Sequence, residues 1–388
     1  MDAEAQKRSD WGGPVGLAAT RCQALILGFA TQGAGGNEED RLRTLLRNFS
    51  VEIFPFDRRS KARTFVAILR LLLGGRFRLA VAEGTGVAGG MAVLLGRIVG
   101  GVPYVVSSGD AVAPYLTTRI PWMRLFFGFY ELWLYRWAAG FIGWTPYLTG
   151  RALELGVPRA MTAAGWAPFP LHQAAEAVAR TAVRERLGIP PGALVIGIVG
   201  SLAWSRRAAY CYGRELVQAI GCCRRPDTYA VIVGDGDGLS RLESLAGSRL
   251  NRTVFLVGRV PQRDVPAYLA AFDLASLPQS VDRVGGFRYT TKLSEYLEAG
   301  VPVVTGQIPM AYDLDDGWLW RLPGQAPWDP QYVDALADLL TSLTGDELAA
   351  KRAAVPRAFR EFDRVRQVAR VTAFLGDVLD EQSRRRKR

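Results

Sequence analysis

The chain has 388 residues, more than a single hydrophobic core usually organises, so two domains are expected. Hydrophobic residues make up 49% of it and charged residues only 22%, which excludes a largely disordered protein. The formal net charge of +11 favours a polyanionic partner: nucleic acid, anionic lipid or a phosphorylated small molecule.

Strands and helices alternate through the first half of the chain, a pattern typical of α/β domains with parallel sheets. Strands are predicted over 23–30, 51–56, 77–84 and 102–108, and helices over 37–49, 62–75 and 87–99, followed by an aromatic-rich helix within 120–144.

Two apolar stretches in this half, 87–106 and 120–144, resemble membrane spans at first sight. An arginine and a proline interrupt the first stretch, which divides better into a helix, a glycine break and a strand. The second carries Arg124, Glu131 and Arg136, and three central charges argue against a simple span. Its many aromatic residues fit either a membrane interface or a buried helix of the first core.

A segment rich in alanine and proline, 163–176, separates the halves, and the alternation then restarts. Predicted strands lie at 192–201, 228–236, 253–260 and 273–278, with helices at 213–223, 239–247 and 264–272. We therefore expect an α/β fold of two facing Rossmann-like domains with parallel sheets and a cleft between them. The expected units are an N-terminal domain at 1–168, a linker at 169–190, a C-terminal domain at 191–361, a helix at about 362–380 packing back on the first domain, and a basic tail at 381–388.

Cysteine and histidine usage restricts the chemistry. Cys22, Cys211, Cys222 and Cys223 have neither zinc-knuckle nor CxxC spacing, which favours a reducing cytoplasm. The single histidine, His172, excludes a multi-histidine metal site, and a Ser-His-Asp triad would depend on it alone. The first residues show no basic leader followed by an apolar core, so a secretory signal peptide is not expected.

Three loops in the second half lie where doubly wound sheets bind ligands, beyond strand ends and beside helix N-termini. GSLAWSRR, 200–207, ends in two arginines suited to phosphate, and GDGDG, 234–238, precedes a helix. TTKLSEYLEAGVPVV, 290–304, places Lys292 to meet phosphate charge and Glu295 to accept hydrogen bonds from sugar hydroxyls. Together these loops predict a nucleotide diphosphate site.

Each loop alone has an ordinary structural interpretation. GDGDG is typical of a tight turn, and Arg206 and Arg207 could be plain surface charge. Lys292 and Glu295, three apart on one helix, could form an exposed ion pair.

The run from Gly200 to Val304, with its KLSEYLEAGVPVV segment, resembles the nucleotide-sugar-binding half of GT-B glycosyltransferases, close to the large retaining family four (glycosyl transferases group 1). The resemblance implies that Glu295 holds the donor ribose and that the basic pair of the first loop binds the diphosphate. In this pair Ser201 replaces the usual arginine, and Arg207 stands where a lysine is common. It implies donor contacts by Gly200, Ser201, Arg206, Arg207, Gly234, Gly258, Arg259, Val260, Lys292, Leu293 and Glu295, with the nucleobase near 258–260.

The chain departs from the family at one position. Many members carry a second glutamate eight residues before the ribose-binding one, but Phe287 stands there. The loop that contains Phe287 offers Asp282 or Arg288 as replacements for a donor-sugar contact, and the sequence does not choose between them.

Two first-half loops are matched to the family more weakly. GAGGNEED, 33–40, resembles the glycine-rich loop near the donor phosphate and acceptor, where Gly35 and Gly36 let backbone approach the ligand, or else is a plain strand-to-helix turn. Asp110 is the candidate catalytic residue facing the reaction centre, or else a helix N-cap.

The expected function is transfer of a sugar from a nucleotide diphosphate sugar to an acceptor hydroxyl, with retention, in cell-surface polysaccharide or glycolipid synthesis. The acceptor would be lipid-linked or a saccharide, and the enzyme cytoplasmic, peripheral on the inner face of an anionic membrane. The family implies no cofactor and no metal, nucleic acid is not an expected partner, and the acidic run 313–317 is read as a loop. Alternatives are a nucleotide-sugar epimerase of the same fold and a non-catalytic basic membrane adaptor. No GxGxxG opens either sheet, which disfavours a dehydrogenase.

Overall fold

The computed structural model describes residues 25–168, 173–356 and 359–387. Cys22 and His172, considered above for redox and metal chemistry, lie outside the described residues. The described part of the chain forms two α/β domains, each built on one six-stranded parallel sheet.

The first domain has helices on both faces of its sheet. Its strands are β1 (Leu25–Ala30), β2 (Ser50–Ile53), β3 (Leu79–Glu83), β4 (Tyr104–Ser108), β5 (Gly140–Gly143) and β6 (Ala160–Thr162). Its helices are α1 (Asn37–Leu45), α2 (Lys61–Leu73), α3 (Val87–Gly100), α4 (Val112–Arg119), α5 (Arg124–Arg136) and α6 (Pro146–Glu154). The strand order is β2-β1-β3-β4-β5-β6, and every residue of β3, β4 and β5 is buried, as expected for parallel strands covered on both faces.

The second domain repeats this architecture. Its strands are β7 (Leu194–Val199), β8 (Thr228–Val233), β9 (Val254–Gly258), β10 (Leu274–Leu277), β11 (Val303–Gly306) and β12 (Leu319–Leu322), in the order β12-β11-β10-β7-β8-β9. Its helices are α7 (Gln173–Leu187), α8 (Arg214–Cys222), α9 (Leu239–Ala246), α10 (Val265–Ala271), α11 (Thr291–Glu298), α12 (Met310–Asp313), α13 (Pro330–Ser342) and α14 (Gly345–Ala354). The predicted fold class is confirmed.

Several elements differ from the sequence expectation. The stretch 120–144 contains a 3-10 turn, α5 and the buried strand β5, rather than one aromatic helix. The short strands β6 and β12 were not predicted, because three or four residues give too little alternation to recognise.

Most of the segment expected to be a linker, 169–190, is the helix α7, which packs on α10 of the second domain. Arg184 donates to Asp273 at 2.8 Å and to the carbonyl oxygens of Ala271 and Ala193, and Asp273 also accepts from the backbone N–H of Val195. This buried network makes α7 part of the second domain.

The last helix, α15 (Arg364–Lys387), packs on the first domain. Val371 and Leu375 share a hydrophobic cluster with Ile26 of β1 and Leu42 of α1. The chain therefore crosses back to the first domain after completing the second, and the helix continues to residue 387.

The carboxyl ends of the two sheets face one another. Thr145, just after β5, donates its hydroxyl to the carbonyl oxygen of Phe287 at 2.8 Å. Asp110, just after β4, forms a salt bridge with Arg288. Loops at the ligand-binding edge of both sheets thus meet across the cleft.

Candidate functional site

The GDGDG loop packs beneath the loop that follows β7. The backbone N–H of Leu202 donates to Asp235 O at 3.0 Å, and the N–H of Gly238 donates back to Leu202 O at 2.9 Å. Gly234 has a φ of +144°, and a Cβ there would overlap the carbonyl oxygen of Gly200. GDGDG is therefore a tight turn that supports the first loop, and the need for close backbone contact explains its glycines.

Lys292 lies directly over Gly200. A Cβ added at Gly200 would come within 2.5 Å of Lys292 Cε, so only glycine leaves room for this lysine. The Lys292 ammonium lies 4.3 Å from the centroid of the Tyr212 ring, a cation–π contact that holds it at the first loop. Among the salt bridges of the described residues none joins Lys292 to Glu295, so the ion-pair interpretation does not hold.

The N-terminus of α11 is open. Thr290 occupies the N-cap position, but its side chain makes no capping hydrogen bond, so the first backbone N–H groups stay available to an anion. At the other end Gly300, with φ of +60°, closes the helix, and Val301 N–H donates to Tyr296 O at 2.9 Å. The helix is thus fixed at its C-terminus while its positive end faces the cleft.

Glu295 faces a cavity of about 240 Å³ between the domains, together with Arg41 and Trp144 of the first domain and Thr291 of the second. Burial raises the pKa of Glu295 to about 7, and the charge of Lys292 opposes this shift. Glu298, three residues further on, is exposed. The helix therefore presents one of its two glutamates to an enclosed polar site.

The other predicted donor residues have different environments. Arg206, Arg207 and Ser201 are exposed in the first loop. Gly258, with φ of +79°, bonds to the GDGDG loop through its carbonyl oxygen, which accepts from Gly234 N–H at 2.9 Å. Arg259 is exposed and Val260 half-buried. The Leu293 side chain is completely buried in the core, and the donor contact expected of this residue stays a prediction.

Asp110 does not cap a helix. The N-cap of α4 is Ala111, and the Asp110 carboxylate instead accepts from Arg288 Nε of the second domain. Burial lowers the pKa of Arg288, but the charge of Asp110 outweighs this effect and leaves that pKa raised. The structure thus pairs two residues that the sequence placed in separate hypotheses.

The remaining candidates of the loop before α11 have structural contacts. Phe287, which stands where a glutamate is common, packs against the core of the first domain. Asp282 accepts from the N–H groups of Val284 and Gly285 at 2.7 and 2.8 Å, closing a local turn. Of the two proposed replacements, only Arg288 reaches across the cleft.

The acidic run at 313–317 begins at Asp313, the last residue of α12, and continues as a loop. Asp313 accepts from the Tyr147 hydroxyl and Asp315 pairs with Arg321 at 2.7 Å. Among the described residues, no cluster of histidine, cysteine or acidic side chains could hold a metal ion.

The glycine-rich loop of the first domain exposes its backbone. Gly35 has a φ of +73° and open space at its Cβ position, and its N–H donates to Glu39 Oε2 at 3.1 Å. Gly36 is the N-cap of α1. The loop can therefore approach a ligand closely, although it is also the strand-to-helix turn of the alternative interpretation.

A buried network behind this loop was not predicted. Arg41 donates to Glu83 Oε2 at 2.8 Å and to the carbonyl oxygen of Ala163 at 2.6 Å, and its guanidinium lies 4.4 Å from the Trp144 ring centroid. Trp144 Nε1 donates to Glu83 Oε1 at 2.9 Å. In the sequence, only Glu83 at the end of a predicted strand indicated this network, because Arg41 looks like a surface residue of an amphipathic helix.

Glu38, also in the glycine-rich loop motif, has a buried Oε2 without a hydrogen-bond partner. Burial raises the pKa of Glu38 to about 8, and the charges of Glu83 and Asp110 add to this shift, while Arg41 and Arg58 oppose it. A neutral carboxyl group at this edge of the sheet can donate a hydrogen bond, which a carboxylate cannot.

A second, larger cavity of about 1180 Å³ opens between the domains. Its walls are α4, α5 and α6 of the first domain, and the first loop and the 282–284 turn of the second. Arg207 lies in its lining, so this groove adjoins the predicted donor loop.

Comparison with known proteins finds a matching family and several similar folds. Residues 193–344 match the family described as Glycosyl transferases group 1. The fold is similar to HepE of Anabaena, solved with UDP and glucose: TM-score 0.66, 17% identity, 91% of this chain and 100% of that chain covered. The lipopolysaccharide outer core galactosyltransferase WaaB gives a TM-score of 0.60 at 11% identity, with 91% and 99% covered. A putative UDP-N-acetylglucosamine 2-epimerase from Listeria monocytogenes has a TM-score of 0.58 at 13% sequence identity. The match covers 92% of this chain and 97% of that chain. No curated protein sequence matches the chain.

The two facing parallel sheets and the loops at their carboxyl ends define a protein of the GT-B class. The first loop, GDGDG and α11 all lie within residues 193–344, the segment similar to Glycosyl transferases group 1. The chain therefore has the GT-B fold, and its second domain contains a segment similar to this glycosyltransferase family.

Proposed function

We propose that the protein transfers a sugar from a nucleotide diphosphate sugar to an acceptor hydroxyl, with retention at the anomeric carbon. The observation that carries this proposal is the arrangement around α11. An uncapped helix N-terminus, the Lys292 ammonium over Gly200 and the enclosed Glu295 carboxyl lie together at the cleft. These groups match a diphosphate and a ribose in neighbouring positions.

The chemistry follows from where charge develops. As the bond to the sugar breaks, negative charge grows on the departing diphosphate, and Lys292, Arg207 and the N–H groups of α11 stabilise it. Glu295 accepts hydrogen bonds from the ribose hydroxyls, and its pKa of about 7 leaves a substantial ionised fraction at neutral pH. Asp110 lies on the opposite side of the cleft, where it stabilises positive charge on the sugar.

The donor base and the biological setting are also proposals. HepE was solved with UDP and glucose, so a UDP-sugar is the first donor to test. We place the enzyme in the cytoplasm, in cell-surface polysaccharide or glycolipid synthesis, peripheral on an anionic membrane. No helix of the described chain is both long and apolar enough to cross a membrane.

The outer face of α5 and the turn before it supports the peripheral attachment. Trp122 is 84% exposed, Leu125 73% and Phe129 63%, and Trp133 and Trp137 stack on each other further along the same face. Exposed aromatic residues beside arginines are typical of helices that lie at a membrane interface.

A thermal-shift screen of UDP, GDP and ADP with their sugars tests the donor proposal, followed by calorimetry of the best ligand. We expect one nucleotide to raise the melting temperature, because a ligand that binds only the folded state stabilises it. Absence of any nucleotide binding would leave the basic adaptor as the better explanation.

The epimerase alternative draws support from the fold similarity to a putative UDP-N-acetylglucosamine 2-epimerase. Incubation with donor alone separates the two reactions. An epimerase converts the donor sugar without any acceptor, whereas the proposed transferase leaves its configuration unchanged.

A further inference from the structure

A buried glutamate lies beside the first loop of the second domain. Glu215, the second residue of α8, is completely buried, and none of the salt bridges among the described residues involves it. Its Oε2 accepts from the Tyr210 hydroxyl at 2.8 Å and from the backbone N–H of Gly213 at 3.1 Å, and its Oε1 accepts from the Ser276 hydroxyl at 3.0 Å. Burial raises the pKa of Glu215 to about 7, while these hydrogen bonds favour the ionised form. The carboxyl group is thus held by three hydrogen bonds rather than by a cation.

Tyr210 connects Glu215 to the segment that carries the two arginines of the first loop. The backbone N–H and carbonyl oxygen of Tyr210 pair with those of Ser205 at 3.2 and 2.8 Å, which closes a turn around Arg206 and Arg207. The Tyr210 side chain is buried, so its hydrogen bond to Glu215 fixes the end of this turn beside α8.

Tyr212 connects the same carboxyl group to Lys292. The Gly213 N–H that donates to Glu215 belongs to the peptide group directly after Tyr212. The rings of Tyr210 and Tyr212 meet edge to face, with their centroids 6.3 Å apart. Glu215 therefore holds the groups on both sides of Tyr212, and the Tyr212 ring is in turn the cation–π partner of the Lys292 ammonium.

The other oxygen of the Glu215 carboxyl group leads to α11. Ser276, which donates its hydroxyl to Glu215, accepts through its carbonyl oxygen from the Tyr296 hydroxyl at 3.1 Å. Tyr296 follows Glu295 on α11 and is completely buried. Glu215 is thus connected to the first loop on one side and to α11 on the other, although it has no exposed surface itself.

We propose that Glu215 is a positioning residue of the donor site and acts on Lys292 through Tyr212. The hydrogen bonds from Tyr210 and the Gly213 N–H orient Tyr212, whose ring keeps the ammonium at the first loop. The inference rests on the proposed function, in which Lys292 meets the diphosphate. Loss of these hydrogen bonds frees the Tyr212 ring, and the flexible lysine side chain then leaves the anion site. Nucleotide affinity falls without any change in a residue that touches the ligand.

Two tyrosine-to-phenylalanine changes test this role. Tyr210→Phe deletes a hydroxyl that donates to Glu215, whereas Tyr332→Phe deletes a buried hydroxyl within the field of Glu215 that has no hydrogen-bond partner. Calorimetry at about pH 8 uses UDP, or GDP or ADP where the thermal-shift screen favours one of them. Tyr210→Phe should weaken binding by about fivefold or more, and Tyr332→Phe should bind like the parent. Equal affinities in the parent and both variants would overturn the assignment.

A double-mutant cycle with Lys292→Ala separates positioning from a general loss of stability. If the effect passes through Lys292, Tyr210→Phe should change affinity by less than about twofold once the ammonium is absent. An undiminished loss in the Lys292→Ala background would overturn the proposal, because Tyr210 would then influence binding by another route.

Variants of Glu215 itself give a second comparison. Glu215→Gln should lose less nucleotide affinity than Glu215→Leu, because the amide oxygen can still accept from Tyr210 and Gly213. The reverse order would overturn the positioning role of the carboxyl group. The Tyr210→Phe comparison does not depend on the folding of either Glu215 variant.

Nucleotide binding by the parent separates this inference from the proposed function. If the parent binds a nucleotide and Tyr210→Phe binds it equally well, the positioning role alone fails. If the parent binds none of the three nucleotides, the glycosyl transfer proposal fails, and the positioning role fails with it.

Discussion

Asp110 is the residue whose role the structure changes most. It is neither a free carboxylate nor a helix cap, because it pairs with Arg288 across the cleft. This salt bridge joins the domain expected to hold the acceptor to the domain expected to hold the donor. Any function of Asp110 in the reaction therefore involves the position of Arg288.

We expect Asp110→Asn to lower kcat by about a hundredfold, since it removes a charge that stabilises the transition state. Nucleotide affinity should change little, because the diphosphate loops belong to the other domain. Steady-state kinetics and calorimetry measure the two effects, and Asp377→Asn, an exposed change on α15, is the control. Turnover equal to that of the parent would reduce Asp110 to an interdomain contact.

Glu38 gives a prediction for stability rather than for rate. Its pKa is raised from 4.5 to about 8, so between these values the folded state holds a proton that the unfolded state has lost. Stability must then fall as pH rises through this window, by up to about 1.4 kcal/mol per pH unit. This destabilisation is absent below the pKa of Glu38 in the unfolded state and constant above its pKa in the folded state.

Glu38→Gln should remove this part of the pH dependence. Denaturant unfolding should show parent and variant similar near pH 4 and the variant more stable near pH 8.5, because the amide never has to ionise. Glu39→Gln is unsuitable as a control, since Glu39 pairs with Arg43, so exposed Glu298→Gln serves instead. A constant difference between Glu38→Gln and the parent at all pH values would contradict the buried, protonated state of Glu38.

At the scale of elements, the first loop and the GDGDG loop differ in how well they tolerate a side chain in place of glycine. A Cβ at Gly200 meets the flexible end of Lys292, whereas a Cβ at Gly234 meets backbone and requires a left-handed conformation. The first change displaces a functional group, and the second deforms the loop itself.

We therefore expect Gly200→Ala to keep stability within about 1 kcal/mol while weakening nucleotide binding several-fold, because Lys292 moves away from the anion site. Gly234→Ala should cost about 2 kcal/mol or more of unfolding free energy. Thermal denaturation and calorimetry of both variants give the comparison. Equal destabilisation by the two changes would show that Lys292 does not occupy the described position.

The elements that could be predicted from the sequence are those with long, regular patterns. Alternating strands and helices, with glycine after strand ends, predict both sheets and place Lys292 and Glu295 on one helix. The contact of Phe287 with the first domain could not be predicted, because neighbouring residues in the sequence give no indication of which distant residues a phenylalanine will pack on. The Arg41–Glu83–Trp144 network has the same cause: its members are up to 103 residues apart in the numbering of the chain and meet only in the folded domain.

At the scale of the whole molecule, charge and exposed apolar surface coincide on the first domain. The chain has a net charge of +11, and α5 presents an exposed aromatic face beside Arg124 and Arg136. The alternative of a buried aromatic helix holds only for its inner face, where Phe127, Tyr130 and Leu134 are buried. A helix with one face in the core and one apolar face outside is suited to a surface that excludes water.

We expect the protein to float with vesicles containing anionic lipid at low salt, and less so at high salt, since each nearby basic residue contributes about 1 kcal/mol. Trp122→Ser/Phe126→Ser should reduce flotation, whereas the equally surface-exposed Ile98→Ser/Val99→Ser pair should not. Failure to bind such vesicles at either salt concentration would remove the membrane proposal.

We propose that α11 forms a nucleotide diphosphate sugar site with Glu295 at the ribose, and calorimetry of the preferred nucleotide with two alanine variants is the sharpest test of this site. Hydrogen bonds to a charged group contribute about 1.5–3 kcal/mol, so Glu295→Ala should weaken binding by roughly tenfold to a hundredfold. Glu298→Ala, on the exposed side of the same helix, should bind almost as tightly as the parent. A greater loss of affinity in Glu298→Ala than in Glu295→Ala would contradict the assignment of Glu295 to the ribose, because the nucleotide would then contact the other face of α11.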